Sequence, residues 1–150
     1  ADGSLIVLGP LTDRPRHVSS ACWEASMEST DMHSLDRLSG ELFTADAVGH
    51  WGDRDVRGPR MIAEQVRQAQ QLFPGISTVL EVGPIAEGDL LAAQWVFTDT
   101  YAGGPPGAQA PVGAEVRCPG VDIFRIRGDR FCAYCPQGDN LSLMAQLKTV

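Results

Sequence analysis

Apolar residues recur along this 150-residue chain with a helical period first and a strand period afterwards. From 17 to 43 they are spaced by three and four residues, as on the buried face of an amphipathic helix, and Asp31 is expected to cap a second segment of it. Gly58-Pro59 predicts the start of another helix, which Pro74-Gly75 ends. A short strand is expected between these helices, over 47–51.

Runs of β-branched and aromatic residues, separated by Gly and Asp turns, predict four longer strands in the second half of the chain, over 76–85, 90–101, 114–126 and 130–137. Helices followed by strands predict an α+β fold. The turn Gly128-Asp129 suits a two-residue hairpin because glycine adopts positive φ without steric cost.

Two further segments are less regular. The loop from Gly103 to Gly113 is rich in Gly, Pro and Ala, which is typical of a mobile lid or of a dimer contact. The closing segment, 141–147, is compatible with a helical turn or a short strand.

Length and charge limit the classes of function. A chain of 150 residues fits a single domain, 1–150, in which 1–16 is expected to form an N-terminal arm or an edge strand. The net charge of −7 argues against nucleic acid or an anionic membrane as a partner and favours a small organic ligand. No run approaches the roughly 20 apolar residues of a membrane span, so a cytoplasmic protein is expected.

Motifs for common cofactors and nucleophiles are missing from the sequence. The four cysteines lack the spacing of a zinc site and are expected to be free thiols, so no metal is predicted. No GxSxG, GxGxxG or P-loop pattern occurs either. Any chemistry is therefore expected to proceed without a cofactor.

Aromatic and polar side chains share one face of the strand over 90–101. Alternation along a strand groups these residues on one side: Leu91, Ala93, Trp95, Phe97, Asp99 and Tyr101. Such a surface, curved against a helix, forms an apolar pocket with a few polar groups. Trp51 is expected to line the same pocket. The alternative is that Trp95 and Phe97 simply fill the core, which is less favourable for Trp95 because its buried N–H needs a partner.

Asp139 is the predicted acid–base residue. Counting by twos along the last strand places it at the end of one face, after Phe131, Ala133, Cys135 and Gln137. A carboxylate beside an apolar surface loses hydration, which raises its pKa and suits it to proton transfer near neutral pH. The alternative is an ordinary loop aspartate, a residue type that is common where strands end.

The chain resembles the SnoaL-like polyketide cyclases of the NTF2-like superfamily over about residues 34–147. Four segments carry this resemblance by their order and spacing: LSGELFTADAVGHW, RGPRMIAEQVRQAQQLFPGI, GVDIFRIRGDRF and GDNLSLMAQL. The resemblance implies an NTF2-like cone, in which a strongly curved mixed sheet packs on N-terminal helices and encloses an apolar cavity. It also implies a homodimer formed through the sheet.

The same resemblance implies a cofactor-independent cyclase that closes a ring in a polyketide-type intermediate. Asp139 would move a proton, and Tyr101, which stands where the family often has a histidine, would hydrogen-bond substrate oxygens together with Asp99. Trp51, Trp95 and Phe97 would bind the folded substrate. Two alternatives remain, a pericyclase that relies on cavity shape and a non-catalytic ligand-binding or dimerisation module.

Overall fold

One six-stranded sheet organises the computed structural model, which describes residues 32–104 and 106–149. In chain order its elements are α1 (Met32–Leu42), β1 (Phe43–Trp51), β2 (Arg54–Arg57), α2 (Pro59–Leu72), β3 (Ser77–Glu87), β4 (Leu90–Thr100), β5 (Glu115–Arg127), β6 (Arg130–Gly138) and α3 (Asn140–Gln146). The expected arm over 1–16, the first part of the N-terminal helix and its cap at Asp31 lie outside the described residues.

The strands are ordered β2-β1-β6-β5-β4-β3. Neighbours are antiparallel except β1 and β6, which run parallel, so the sheet is mixed. The helices pack on this curved sheet, which confirms the predicted α+β class. The four longer strands lie within two residues of their predicted limits.

The first half of the sheet departs from the prediction. β1 begins at Phe43, directly after α1, and is longer than the expected strand over 47–51. β2 was not predicted, because it is a four-residue edge strand in which only Val56 is buried. The closing segment is the helix α3 rather than a strand.

The core has two parts with different neighbours. Beneath α1, α2 and β1, the rings of Phe43, Phe124, Phe131 and Tyr134 stack or tilt against one another. At the other end, β4, β5, α3 and the loop before β5 enclose a second cluster. The side chain of Arg67 in α2 ties the two helices together by binding Asp36 of α1.

An extra residue in β6 changes which side chains face the helices. Ile126 pairs with Phe131, whereas Arg125 pairs with Ala133, so Cys132 is additional in β6. A β-bulge of this kind reverses the alternation beyond it. Tyr134 is therefore buried, and the pairs formed by Pro136 and Gly138 lie on its side of the sheet.

Candidate active site

A cavity of about 290 Å³ lies between the sheet and the helices α2 and α3. Its wall is mainly apolar and aromatic, and it includes Trp51, Phe73, Trp95, Phe97, Tyr134 and Leu143. The volume is at the lower limit of small-molecule pockets, roughly 300–1,000 Å³, so it suits a ligand of a few rings. The predicted apolar cavity is thus present in the described part of the chain.

The three predicted aromatic ligand-binding residues all line this cavity. Trp51 meets the ring of Tyr134 edge-on, with 5.5 Å between ring centroids. Trp95 lies nearly parallel to Phe97, with 6.3 Å between their rings. The prediction that Trp51, Trp95 and Phe97 line one apolar pocket is confirmed, and their binding of a ligand stays a prediction.

Glycines make room for both indoles. A Cβ on Gly120 would lie 2.4 Å from two ring atoms of Trp95, and a Cβ on Gly49 would lie 2.4 Å from the ring of Trp51. Contacts under 3.0 Å do not occur for real Cβ atoms, so each indole needs the glycine beneath it. In addition, Gly138 pairs with Gly120, which extends the flat backbone under Trp95.

Asp122 in β5 is the one carboxylic acid that is fully buried among the described residues. It pairs with Ala93 of β4 and with Pro136 of β6, and it faces the helices between Gly120 and Phe124. The hydroxyl of Tyr134 donates to Asp122 Oδ2 over 3.4 Å. Since Tyr134 lines the cavity, Asp122 lies directly behind the cavity wall.

Burial governs the ionisation of this pair. Loss of hydration raises the pKa of Asp122 to about 8, and hydrogen bonds from the side chains of Trp95 and Tyr134 lower it by a smaller amount. Burial, with the nearby charge of Asp122, raises the pKa of Tyr134 well above its usual value. Near neutral pH Tyr134 is therefore a neutral hydrogen-bond donor, while the protonated and the ionised forms of Asp122 are both populated.

Asp139, the predicted acid–base residue, is exposed rather than sheltered. Its side chain accepts from the backbone N–H of Ser142 over 2.9 Å and so caps the N-terminus of α3. The prediction of burial was wrong because it assumed unbroken alternation along β6. The extra residue Cys132 places the Asp122–Pro136 and Gly120–Gly138 pairs on the cavity side instead.

Tyr101 and Asp99 lie away from the cavity, although they were predicted to bind substrate oxygens. Tyr101 is buried in the second core cluster, beside Ala110 and Leu147. The Asp99 carboxylate accepts from the backbone N–H groups of Gly75 and Thr100. It borders a separate open groove of about 570 Å³ on the edge of β4 and β5. β4 carries both residues past the end of the cavity.

The loop between β4 and β5 is attached to the end of the chain. The backbone N–H groups of Gln109 and Ala110 both donate to the carbonyl oxygen of Leu147. The N–H of Gly113 donates to the carbonyl of Tyr101. These bonds attach the second half of the loop to β4 and to the segment after α3, and its role as a lid or a dimer contact stays a prediction.

Asp122 was missed although a signal for it exists in the sequence. Counting back by twos from Phe124 gives Asp122, Gly120, Cys118 and Val116, so a lone acid interrupts a run of apolar and small residues. Apolar residues occupy both faces of this segment, so strand alternation did not single out Asp122.

In the described part of the chain, no group of His, Cys, Asp and Glu residues could hold a metal ion. No helix there is long and apolar enough to cross a membrane.

The chain belongs to the SnoaL-like domain family, since residues 23–134 match the model of that family. Among curated protein sequences, none matches it.

Solved structures share the fold at low sequence identity. IdmH from Streptomyces antibioticus, provisionally named a polyketide cyclase, is 24% identical over 88% of this chain and 99% of its own, with a TM-score of 0.69. A provisionally named SnoaL-like polyketide cyclase from Jannaschia sp. CCS1 is 20% identical over 91% and 96%, also with a TM-score of 0.69. AclR from Streptomyces galilaeus, provisionally named a hydroxylase, is 22% identical over 79% and 80%, with a TM-score of 0.64. These similarities confirm the NTF2-like cone.

Proposed function

We propose that the protein is a cofactor-independent cyclase that closes a ring in a polyketide-type intermediate by acid–base catalysis, with Asp122 as the group that moves the proton. The observation that carries this proposal is a buried carboxyl directly behind an aromatic cavity. Family membership and the provisional names of the similar structures support the class of reaction and substrate.

The proposed step transfers one proton and needs no oxidant or reductant. Ionised Asp122 takes a proton from a carbon next to a carbonyl group, which forms an enolate. The enolate carbon attacks a second carbonyl carbon of the same molecule, so that a C–C bond forms as the C=O π bond breaks. The new alkoxide then recovers the proton from Asp122. A pKa of about 8 suits both halves of this cycle, because efficient proton transfer needs a pKa near the working pH.

Exchange of a carbon-bound proton tests this step without the natural substrate. The probe is 2-tetralone, a bicyclic ketone, whose loss of the C1 proton signal in D₂O is followed by NMR. The protein should accelerate exchange over buffer, and Asp122→Asn should slow it by at least about 100-fold. Asp139→Asn should keep most of the activity, as should the control Asp129→Asn in the exposed β5–β6 turn. A normal rate in Asp122→Asn would remove Asp122 from the mechanism.

A pericyclase is the second candidate, and one observation favours it. Asp122 has no exposed surface, and aromatic side chains stand between it and the cavity. Ring closure by cavity shape alone would need only those aromatic walls. In that case the protein would bind 2-tetralone without accelerating proton exchange, and Trp95→Ala would harm turnover more than Asp122→Asn.

We further infer that a second copy of the chain covers the outer face of the sheet. Rows of apolar side chains cross β3, β4 and β5 there, among them Ile85, Ala92 and Ile123, which are paired in register. Ile85 is 60% exposed and Ile123 is 41% exposed. Contiguous apolar surface of this kind is typical of an interaction site. Pairing through the sheet is also the arrangement that the resemblance implies, and it would make the protein a homodimer.

A further inference from the structure

Asn140, the first residue of α3, is the only asparagine in the sequence, and it borders the cavity. Its carboxamide makes no hydrogen bond to another described residue. Gln137 borders the cavity too, but it pairs with Val121 and donates to Cys135 Sγ over 3.7 Å, so its side chain lies on the outer face of the sheet. Among the described residues around the cavity, Asn140 is therefore the one whose carboxamide is available to a ligand.

The amide oxygen of Asn140 lies on the cavity side of Gly138. Asn140 Oδ1 is 3.5 Å from the point where a Cβ of Gly138 would stand. Cys118 Sγ and Trp95 Cη2 are each 3.8 Å from the same point, and both residues line the cavity. Because Gly138 has no side chain, the space above its Cα is open between these three groups.

The thiol of Cys118, the other polar group beside this space, already has partners. It donates to the carbonyl oxygens of Pro119 and Asp139, each over 3.6 Å. Burial raises the pKa of the Cys118 thiol, so it is uncharged near neutral pH. The space therefore offers a ligand no charge, only the donor and the acceptor of a neutral amide beside the edge of an indole.

A hydroxyl group matches this amide, because each is both a hydrogen-bond donor and an acceptor. The match holds for either orientation of the amide. We propose that Asn140 binds a hydroxyl group on the edge of a planar aromatic ligand, with that group above Gly138 and the rings between the aromatic walls of the cavity. An apolar pocket in which a few polar groups fix the orientation is the usual form of a small-molecule site. This inference rests on the proposed function, since it assigns a specificity-determining contact to the same cavity.

Two ligands of nearly the same shape test this contact. The probes are 2-naphthol and 2-methylnaphthalene, in which a methyl group replaces the hydroxyl, and equilibrium dialysis measures their dissociation constants. Asn140→Leu keeps the size of the side chain and should lower the preference for 2-naphthol by about three- to tenfold, as expected for the loss of one hydrogen bond. Gln137→Met is the matched control, because it removes a carboxamide from the outer face, and it should keep the ratio.

A measurement on the unaltered protein covers the case in which Asn140→Leu does not fold. Since the chain has one asparagine, labelling with ¹⁵N-asparagine gives a single pair of side-chain amide signals. The rings of both ligands shift nearby protons alike, so the difference between the ligands isolates the effect of the hydroxyl. Adding 2-naphthol should move an amide proton of Asn140 downfield relative to its position with 2-methylnaphthalene.

Gly138→Ala tests where the hydroxyl group lies. The new methyl group would have ordinary contacts of 3.5 and 3.8 Å within the protein, so the fold should tolerate it. It would occupy the space above Gly138 and should weaken the binding of 2-naphthol by about fivefold or more. Gly40→Ala in α1, where nothing lies within 4 Å of the added Cβ, is the control and should leave the affinity unchanged.

The outcomes separate this inference from the proposed function. The inference would be overturned if neither ligand binds, if Asn140→Leu keeps the preference of the parent, if the amide signals respond equally to both ligands, or if Gly138→Ala binds 2-naphthol normally. A preference that depends on Asn140, without proton exchange on 2-tetralone, would instead overturn the proposed chemistry and keep the hydroxyl site.

Discussion

Asp122 couples the stability of the protein to pH. Its folded-state pKa, about 8, lies above the unfolded value near 3.9, so the folded chain holds more protons between these two limits. The contribution of Asp122 to stability is therefore fully present below about pH 4. It is lost progressively as pH rises from there through about 8. Tyr134 is the titratable side chain that contacts the carboxyl, and it stays neutral throughout this range.

The variant Asp122→Asn should remove this pH dependence. Because Asn cannot ionise, the stability of the variant relative to the unaltered protein should improve steadily from about pH 5 to about pH 8. Urea denaturation at a series of pH values measures the difference. A constant difference across that range would mean that Asp122 titrates near its ordinary value.

Gly120 is predicted to be intolerant of any side chain. The Cβ of Gly120→Ala would lie 2.4 Å from the ring of Trp95 and 2.8 Å from the carbonyl oxygen of Gln137, and the latter cannot move aside easily. Overpacking of this kind costs about 1–3 kcal/mol of unfolding free energy. Gly40→Ala is the control, since nothing lies within 4 Å of its Cβ in α1, and it should stabilise by about 0.5–1 kcal/mol. Equal effects in chemical denaturation would contradict the role of Gly120.

At the scale of elements, the sequence predicted where strands run better than which way their side chains face. Alternation identified the cavity face of β4 correctly, because β4 and β5 pair without a register shift. In β6 the same count failed, since nothing in the local composition marks Cys132 as an extra residue. The bulge therefore places Gly138 rather than Asp139 on the cavity face, whereas Asp122 was missed for a separate reason, namely that apolar residues occupy both faces of its strand.

Asp139 is expected to matter for α3 rather than for proton transfer. Asp139→Ala removes the acceptor of the Ser142 N–H and should cost about 0.5–2 kcal/mol of stability. Asp139→Ser, which retains a capping oxygen, should recover most of that loss. Thermal unfolding compares the three proteins, and an Ala variant as stable as the parent would show that the cap is not required.

For the whole molecule, the predicted homodimer depends on the outer face of the sheet. Ile123→Lys places a charge in the middle of the apolar rows and should convert the dimer to a monomer in sedimentation velocity. Leu141→Lys is the control, because Leu141 is 72% exposed but lies in α3 rather than on the outer face of the sheet. A parent protein that sediments as a monomer at high concentration would contradict this assembly.

The overall architecture was predictable because it depends on the order and length of the elements, which local patterns report. The site was only half predictable. Trp51, Trp95 and Phe97 were found from strand alternation, whereas Tyr101 and Asp99 were misplaced because the length of the cavity depends on how α2 and α3 cross the sheet. Contacts of that kind join residues far apart in sequence, so no local pattern contains them.

The pH dependence of 2-tetralone proton exchange tests the central claim most directly, namely that a buried Asp122 moves the proton. The protein-catalysed rate should rise about tenfold for each pH unit and level off above about pH 8, the pKa of Asp122. Asp122→Asn should abolish this profile. A rate that levels off near pH 4, or one with the same profile in the Asn variant, would contradict the claim.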